Sequence, residues 1–422
     1  MAHSTAAPQQ PTAASGGGAG SGRRRADARR HGVGFSLTAF AFLTAMAFST
    51  VPTPLYPLYM AKDGFSTFMV TVVFAVYAVG VMISLVLAGH VSDWIGRKKI
   101  LIPAVGLELV AALLFLTSTS LPVLLLARLV TGLGVGMVTA TATAHLHELH
   151  TAHRPGASAQ RFELVSTAAN IGGIGVGPLV TGFLAQWVTS PLRTPYIVFA
   201  GLLLAAIVAI AATPETVEER FPRPAYRPQR ITVDHGDSAG YLAAAAAGFA
   251  SFAVFGLFTS VAPGFVAGAL HHPSRALAGL IVFAVFGSAA AAQSLTTRLA
   301  TAAKRRLGLL GQAVGVVTLV IGMHTANLAA FLVGGIVAGI GAGMLFKAAL
   351  GTVIALAVPD KRSEALAGLF LIAYLGLTLP AVGIGIATLS VSATTVMTWF
   401  AGLLLILLAG VAALARRGST TD

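Results

Sequence analysis

Long apolar runs separated by short polar joints dominate the chain. Twelve of them predict membrane-spanning helices at 34–56, 68–89, 99–118, 121–144, 162–188, 195–213, 239–262, 276–297, 306–323, 327–349, 363–388 and 393–415. Each is close to the ~20 residues needed to cross a bilayer core. Residues 68–88 carry no charge, and 100–117 carry only Glu108. Pro52, Pro54 and Pro57 break the outer end of the first run, because proline removes a helix donor. The longest polar stretch between runs, 214–238, divides the chain into six-helix halves at 34–213 and 239–415. Residues 1–33, rich in Ala, Gly, Ser, Pro, Gln and Arg, are expected to be disordered. Residues 416–422 form a short tail.

Composition agrees with this pattern. The chain is 56% hydrophobic and 10% charged, against roughly 25% charged in a soluble domain. It is therefore read as an all-α polytopic membrane protein. The first apolar run exceeds the ~7–15 residues of a signal-peptide core, so it is taken as an uncleaved first helix. There is no cysteine, which excludes disulfides, thiolate metal sites and a cysteine nucleophile.

The net charge of +13 would suit a nucleic-acid partner if the cations were clustered on one face, but they are not. With the N-terminus inside, 22 Lys or Arg fall in inner segments, and Lys62, Arg193 and Arg275 in outer ones. Arg128 and Lys347 lie within spans. This asymmetry follows the positive-inside rule. It puts both termini and the 214–238 linker in the cytoplasm, and an anionic lipid surface accounts for the basic charge without nucleic acid.

The halves repeat. Gly132, Gly134 and Gly136 followed by Met137 recur as Gly339, Gly341 and Gly343 followed by Met344, and Arg97-Lys98-Lys99 recurs as Lys304-Arg305-Arg306. Both pairs share one offset, 207 residues. Asp93 has no acidic counterpart, since Ala300 stands in its place.

Three motifs carry candidate chemistry. Between runs two and three lie Gly89, Asp93, Gly96, Arg97, Lys98 and Lys99, a short cationic hairpin in which Gly96 can take positive φ and Gly89 admits close backbone. In run four, Arg128, Gly132 and Gly136 share a face at spacing i, i+4, i+8, and the glycines leave room beside a cation held at depth. A charge there needs a cavity or partner unless it snorkels outward. In run five, Gly173 and Gly177 offer a small-residue contact face and Pro178 favours a bend, together suiting a tightly packed, pliable contact between halves.

The first motif resembles the signature loop between helices 2 and 3 of the major facilitator superfamily, except that Trp94 follows the aspartate where the family usually has a cation. The second resembles that superfamily's helix 4 signature. The third is similar to the antiporter signature of helix 5, with Thr181 replacing a glycine. The resemblance covers about 34–415. It implies two pseudo-symmetric six-helix bundles and places the chain near the twelve-helix drug:proton antiporter branch. It further implies export of small, mostly apolar compounds by proton antiport, a gating role for Asp93 and Arg97, and a link of Arg128 to coupling. Protons, a small-molecule substrate and the lipid bilayer are the expected partners, with the protein acting as a monomer in the plasma membrane. No metal or organic cofactor is implied. A nutrient importer and a non-transporting sensor on the same fold are the alternatives. H-E-x-x-H is absent, and the one G-x-S-x-G match, residues 236–240, falls at the junction of the polar linker with an apolar run and not on a strand-to-helix turn, so an intramembrane enzyme is not expected.

Some further residues complete the picture. Glu108 lies within roughly 7 Å of the height of Arg128 at ~1.5 Å per residue, so the two are expected to meet, either as a structural pair or as a proton carrier with its counter-charge. Lys347 is expected to snorkel. His145, His147, His150 and His153 are expected to be solvated or interfacial. Tyr56 and Tyr59 either line the outer mouth or join the interfacial aromatic belt.

Overall fold

The computed structural model describes residues 17–89, 91–218, 226–229, 237–358 and 361–417. Among the described residues, twelve helices are long and apolar enough to cross a membrane. They are α1 (Ala28–Asp63), α2 (Thr67–Ala88), α3 (Arg97–Thr117), α4 (Leu121–His153), α5 (Gln160–Trp187) and α6 (Thr194–Ala212) in the first bundle. The second holds α7 (Ser238–Ser260), α8 (Arg275–Leu295), α9 (Thr301–His324), α10 (Leu328–Leu356), α11 (Arg362–Ala387) and α12 (Ala393–Arg416). This is the expected all-α architecture, an integral multi-pass membrane protein.

Two ends differ from expectation. The helix leading into α1 begins at Gly17, inside the stretch expected to be disordered. Ala and Arg are good helix formers, and extending an existing helix avoids the cost of nucleation. Helix α4 runs on to His153, nine residues past its expected end at 144. Residues 1–16, most of the 214–238 linker and 418–422 lie outside the described residues. Helix α1 is broken as the prolines require: its regular part stops at Phe48, a 3₁₀ turn covers Thr53–Leu55 and a short helix Tyr56–Asp63 completes it.

Lipid gives helices no hydrophobic reason to associate, so they must approach closely enough for van der Waals contact to hold them. Glycine makes that approach. A Cβ at Gly132 would overlap the Tyr77 carbonyl of α2, and one at Gly136 would stand 2.8 Å from the Val81 carbonyl. Gly134 faces α3 instead, where a Cβ would stand 2.7 Å from the Ala104 carbonyl and 2.8 Å from Glu108 Cγ. The second bundle repeats this lattice: Gly339 and Gly343 notch α8 at Val285 and Ala289, and Gly341 notches α9 at Gln312. The 207-residue repeat is thus a repeat of helix crossings. One member is not copied. The position equivalent to Arg128 is Gly335, and the Phe258 ring fills the space beside it.

Helix α5 has two working faces. Gly173 and Gly177 pack on α1, where a Cβ at Gly177 would overlap the Ala47 carbonyl. Pro178 cannot donate to the Ile174 carbonyl, and Thr50 Oγ1 of α1 donates to it instead at 2.8 Å. Gly175, Gly182 and the Pro178 carbonyl face α8, at Phe286, Gly279 and Gly279 respectively. The expected contact of Gly173 and Gly177 between halves is corrected: those two lie within the first bundle, and the seam between bundles uses the other face.

Gly177→Leu should lower the thermal unfolding midpoint of the detergent-purified protein, by an overpacking cost of about 1–3 kcal/mol or more. Gly201→Leu on α6 has open space around it and should leave the midpoint within a degree or two. Equal midpoints for the two variants would contradict this packing.

Candidate functional site

The α2–α3 loop folds around Arg97. Gly96 turns the chain at φ +117°, a conformation that favours glycine, and α3 begins at the next residue. Gly89 has ordinary helical dihedrals, and a Cβ there would meet only its own helix. Its expected role in close approach is therefore corrected, because the turn is made at Gly96.

Arg97 is buried at the end of the bundle. Its Nε and Nη2 donate to Glu148 of α4, the latter at 2.7 Å, and its Nη1 donates to Asp93 at 2.5 Å and Ser92 at 2.7 Å. The guanidinium fork thus holds the loop to α4 through charge-assisted bonds. A second carboxylate completes the node. Glu215, just beyond α6, accepts from the backbone N–H groups of Arg97 at 2.9 Å and Lys98 at 3.0 Å. It satisfies donors that the first turn of α3 leaves unpaired and suits the positive end of the helix. Lys98 Nζ donates to the Ala211 carbonyl at 2.7 Å, tying α3 to α6 again.

Thr216 Oγ1 donates to Glu148 at 2.5 Å and contacts His145 Nδ1 at 2.9 Å. His145 Nε2 lies 3.4 Å from Thr213 Oγ1. Of the four histidines expected to be solvated or interfacial, His147 is exposed, whereas His145 and His150 are buried. Glu148 and Glu215 had been visible only as acids near the ends of runs four and six. Their signal was position: a carboxylate after the last apolar residue, at the same membrane face as the cationic loop.

Deeper in the bundle, Arg128 is fully enclosed and does not snorkel. Its Nη1 donates to the Ser49 carbonyl at 2.6 Å, the last turn before α1 breaks. Its guanidinium lies 4.3 Å over the Tyr77 ring and 6.0 Å from Phe74, a cation–π arrangement. The glycines expected to clear room for it clear room for α2 and α3 instead. Glu108 is also fully buried, against Gly134, and neither carboxyl oxygen has a hydrogen-bond partner. The expected meeting of Glu108 with Arg128 is not made here: matching heights did not bring matching faces. Arg128 Nε is likewise unpartnered.

Tyr56 and Tyr59 are buried, and Tyr59 shares a hydrogen bond of 3.0 Å with Tyr196. They belong to the interior and not to an interfacial belt.

The bundles are fastened at the end far from the signature loop. Gln186 Oε1 of α5 accepts from Arg275 N of α8 at 2.9 Å, and Arg275 Nη1 donates to the Ala185 carbonyl at 2.8 Å. Thr53 Oγ1 of α1 donates to the Thr259 carbonyl of α7 at 3.0 Å. Gly385 of α11 sits against Thr71 of α2. At the signature-loop end, Lys347 Nζ of α10 donates to the Gln293 carbonyl at 2.7 Å and stands 3.8 Å from Glu163 of α5. Lys347 therefore reaches across the bundles and does not snorkel as expected.

Two six-helix membrane bundles joined by glycine crossings, with a charged loop node at one end, define the major facilitator class of fold. Residues 38–234 match the model of the Major Facilitator Superfamily. The chain is 30% identical over 159 residues to the quinolone resistance protein NorA of Staphylococcus aureus, covering 37% of this chain and 39% of NorA. It is 26% identical over 196 residues to the MFS-type transporter Rv1877 of Mycobacterium tuberculosis, covering 46% of this chain and 27% of that protein. The matches thus span well under half the length of these curated relatives. Among solved structures, the human organic anion transporter MFSD10 (TETRAN) superposes with a TM-score of 0.66 at 17% identity, over 90% of this chain and 99% of that one. The nucleoside transporter NupG superposes at 0.68 and 12% identity, with the same coverage. At such identities these two likenesses show the fold. By its fold and by its first half, this chain resembles the major facilitator superfamily.

Glu148→Gln should destabilise the purified protein by about 3 kcal/mol, because it leaves Arg97 buried without its principal partner. Asp93 is largely exposed, so Asp93→Asn should cost about 1 kcal/mol or less. Thermal unfolding of the two variants in detergent checks the order, and a larger loss for Asp93→Asn would reverse the assignment.

Proposed function

We propose that this protein is a secondary active exporter of small, mostly apolar, drug- or antibiotic-like compounds, driven by proton antiport and working by alternating access. The α5 seam supports this reading most. One helix carries backbone-close contacts to its own bundle on one face and to α8 on the other, the geometry of a pivot. The likeness to NorA, named for quinolone resistance, supports a toxic cargo. The two bundles rock about a central site. The Gln186–Arg275 and Thr53–Thr259 bonds join the bundles at the far end and on this reading close it.

On this reading the Gly89–Lys98 loop is a gate, with Asp93 and Arg97 holding one state, and Asp93→Asn slows transport while leaving the protein inserted. The helix-packing residues Gly132, Gly136, Gly173, Gly177 and Pro178 keep the first bundle stiff. Glu108 and Arg128, each with unmet hydrogen-bonding capacity in this state, carry coupling: a change of state that joins them displaces a proton, and separation readmits it. The protein lies in the plasma membrane as a monomer with both termini cytoplasmic. Reporter fusions at Asp422 and in the 214–238 linker then read as cytoplasmic, and one in the 271–274 loop as external.

The test is a susceptibility panel. Cells expressing the protein should tolerate at least one class of toxic compound several-fold better than cells carrying Gly177→Leu, and should accumulate less of it. Greater accumulation in expressing cells would favour an importer. Addition of that compound to the purified protein should release protons, and Glu108→Gln should abolish the release. Unchanged release in Glu108→Gln would remove Glu108 from the coupling path.

A further inference from the structure

The second bundle carries an aromatic cluster where the bundles face each other. Phe252 of α7 lies with ring centroids 5.0 Å from Phe346 of α10, 5.5 Å from Tyr374 of α11 and 5.8 Å from Phe255. Phe370 joins Phe346 at 5.8 Å, and Phe286 of α8 stacks on Phe255 at 4.8 Å. Gly175 of α5 in the opposite bundle rests on Phe286, and α11 packs along α2. Rings from four helices therefore cluster at mid-depth beside the seam, and such rings hold flat π-systems by offset or edge-to-face contact.

Lys347 follows Phe346 in sequence and lies toward the signature-loop end. An ammonium has three donors. Lys347 donates one to the Gln293 carbonyl, and Glu163 at 3.8 Å is beyond hydrogen-bond reach. Gln293 is itself buried, and its Nε2 has no partner. A buried donor without an acceptor is costly, and here the unpartnered Gln293 Nε2 stands beside an ammonium that has one hydrogen-bond acceptor for its three donors. Glu163 stands beside Lys347 and is countered by it, and the acids of the first bundle named above lie elsewhere. Glu108 is enclosed between α3 and α4, and Asp93, Glu148 and Glu215 belong to the loop node.

Resting on the transporter reading above, we propose that the central site takes planar aromatic compounds bearing an anionic group. The rings lie among Phe252, Phe346 and Tyr374, and the anion accepts from Lys347 Nζ and Gln293 Nε2, displacing Glu163 from the neighbourhood of Lys347. Neutral aromatics bind more weakly and aromatic cations are disfavoured.

Isothermal titration of the full chain in detergent with 2-naphthoate, 2-naphthamide and 2-naphthylmethylammonium tests this. Naphthoate should bind about tenfold or more tighter than the cation, the scale of one charge-assisted hydrogen bond. Lys347→Gln should remove the advantage of naphthoate over naphthamide while leaving naphthamide binding within about twofold. Lys347→Arg should retain the advantage, and Phe252→Ala should weaken naphthoate and naphthamide together. Equal or tighter binding of the cation, an undiminished naphthoate preference in Lys347→Gln, or binding of none of the three would overturn the inference. Cation preference in a protein that still exports would overturn this inference alone. Naphthoate preference in a protein that moves no solute would support it and count against the function proposed above.

Discussion

Each bundle depends on backbone meeting backbone at glycine. With lipid on the outside, apolar side chains gain little by leaving one hydrocarbon surface for another, so the helices hold together through close van der Waals fit. Gly132, Gly134 and Gly136 fix α4 against α2 and α3 at once, and Gly339, Gly341 and Gly343 do the same for α10 against α8 and α9. Any side chain larger than hydrogen would push these axes apart. Stiffness within a bundle follows, and the proposed motion is placed at the seam between bundles. At that seam α5 again uses small residues, and Thr50 takes the carbonyl bond that Pro178 gives up, so a bend is allowed without leaving a buried acceptor unpaired.

Charge is placed according to depth. At the end of the first bundle, Arg97 gathers Asp93, Glu148 and Ser92, while Glu215 covers the start of α3. Every bond there either crosses between elements or pins the loop, so the node converts a mobile hairpin into part of the bundle. Deeper down the arrangement is sparser. Arg128 has one backbone acceptor and an aromatic face, and Glu108 has no hydrogen-bond partner. Buried polar groups left in this condition are expensive, and their persistence in the first bundle is the physical ground of the coupling role proposed for them. The second bundle has no equivalent charge, since Gly335 and Phe258 occupy that level. Its own polar feature is Lys347 at the seam.

Much of the fold was legible because membrane spans announce themselves by length and apolarity, and because Gly132 and Gly339 sit 207 residues apart in matching contexts. The importance of Asp93, Gly96 and Arg97 was legible from their spacing. What sequence could not supply was direction around each helix axis. Helices that are apolar on all sides carry little rotational signal, so Glu108 and Arg128 were placed at similar heights yet proved to face different neighbours. The same gap hid which helix Gly173 and Gly177 touch, and that Lys347 reaches across the seam. Glu148 and Glu215 were hidden for another reason: their role comes from three segments converging, and none of the three holds a motif that includes them. The burial of His145 follows from Thr213 and Thr216 folding back over the end of α4, a contact between segments far apart in the chain.

The central claim is that two stiff bundles exchange contact at one end for contact at the other. The chain has no cysteine, so paired spin labels can be introduced at chosen sites without background. One pair at Trp187 and Leu389 spans the bundles at the far end, and another at Leu164 and Leu299 spans them at the signature-loop end; all four side chains are exposed. Pulsed dipolar spectroscopy across a range of pH, with and without an exported compound, should show the first distance lengthening as the second shortens. Two distances that stay fixed, or that lengthen and shorten together, would contradict the account.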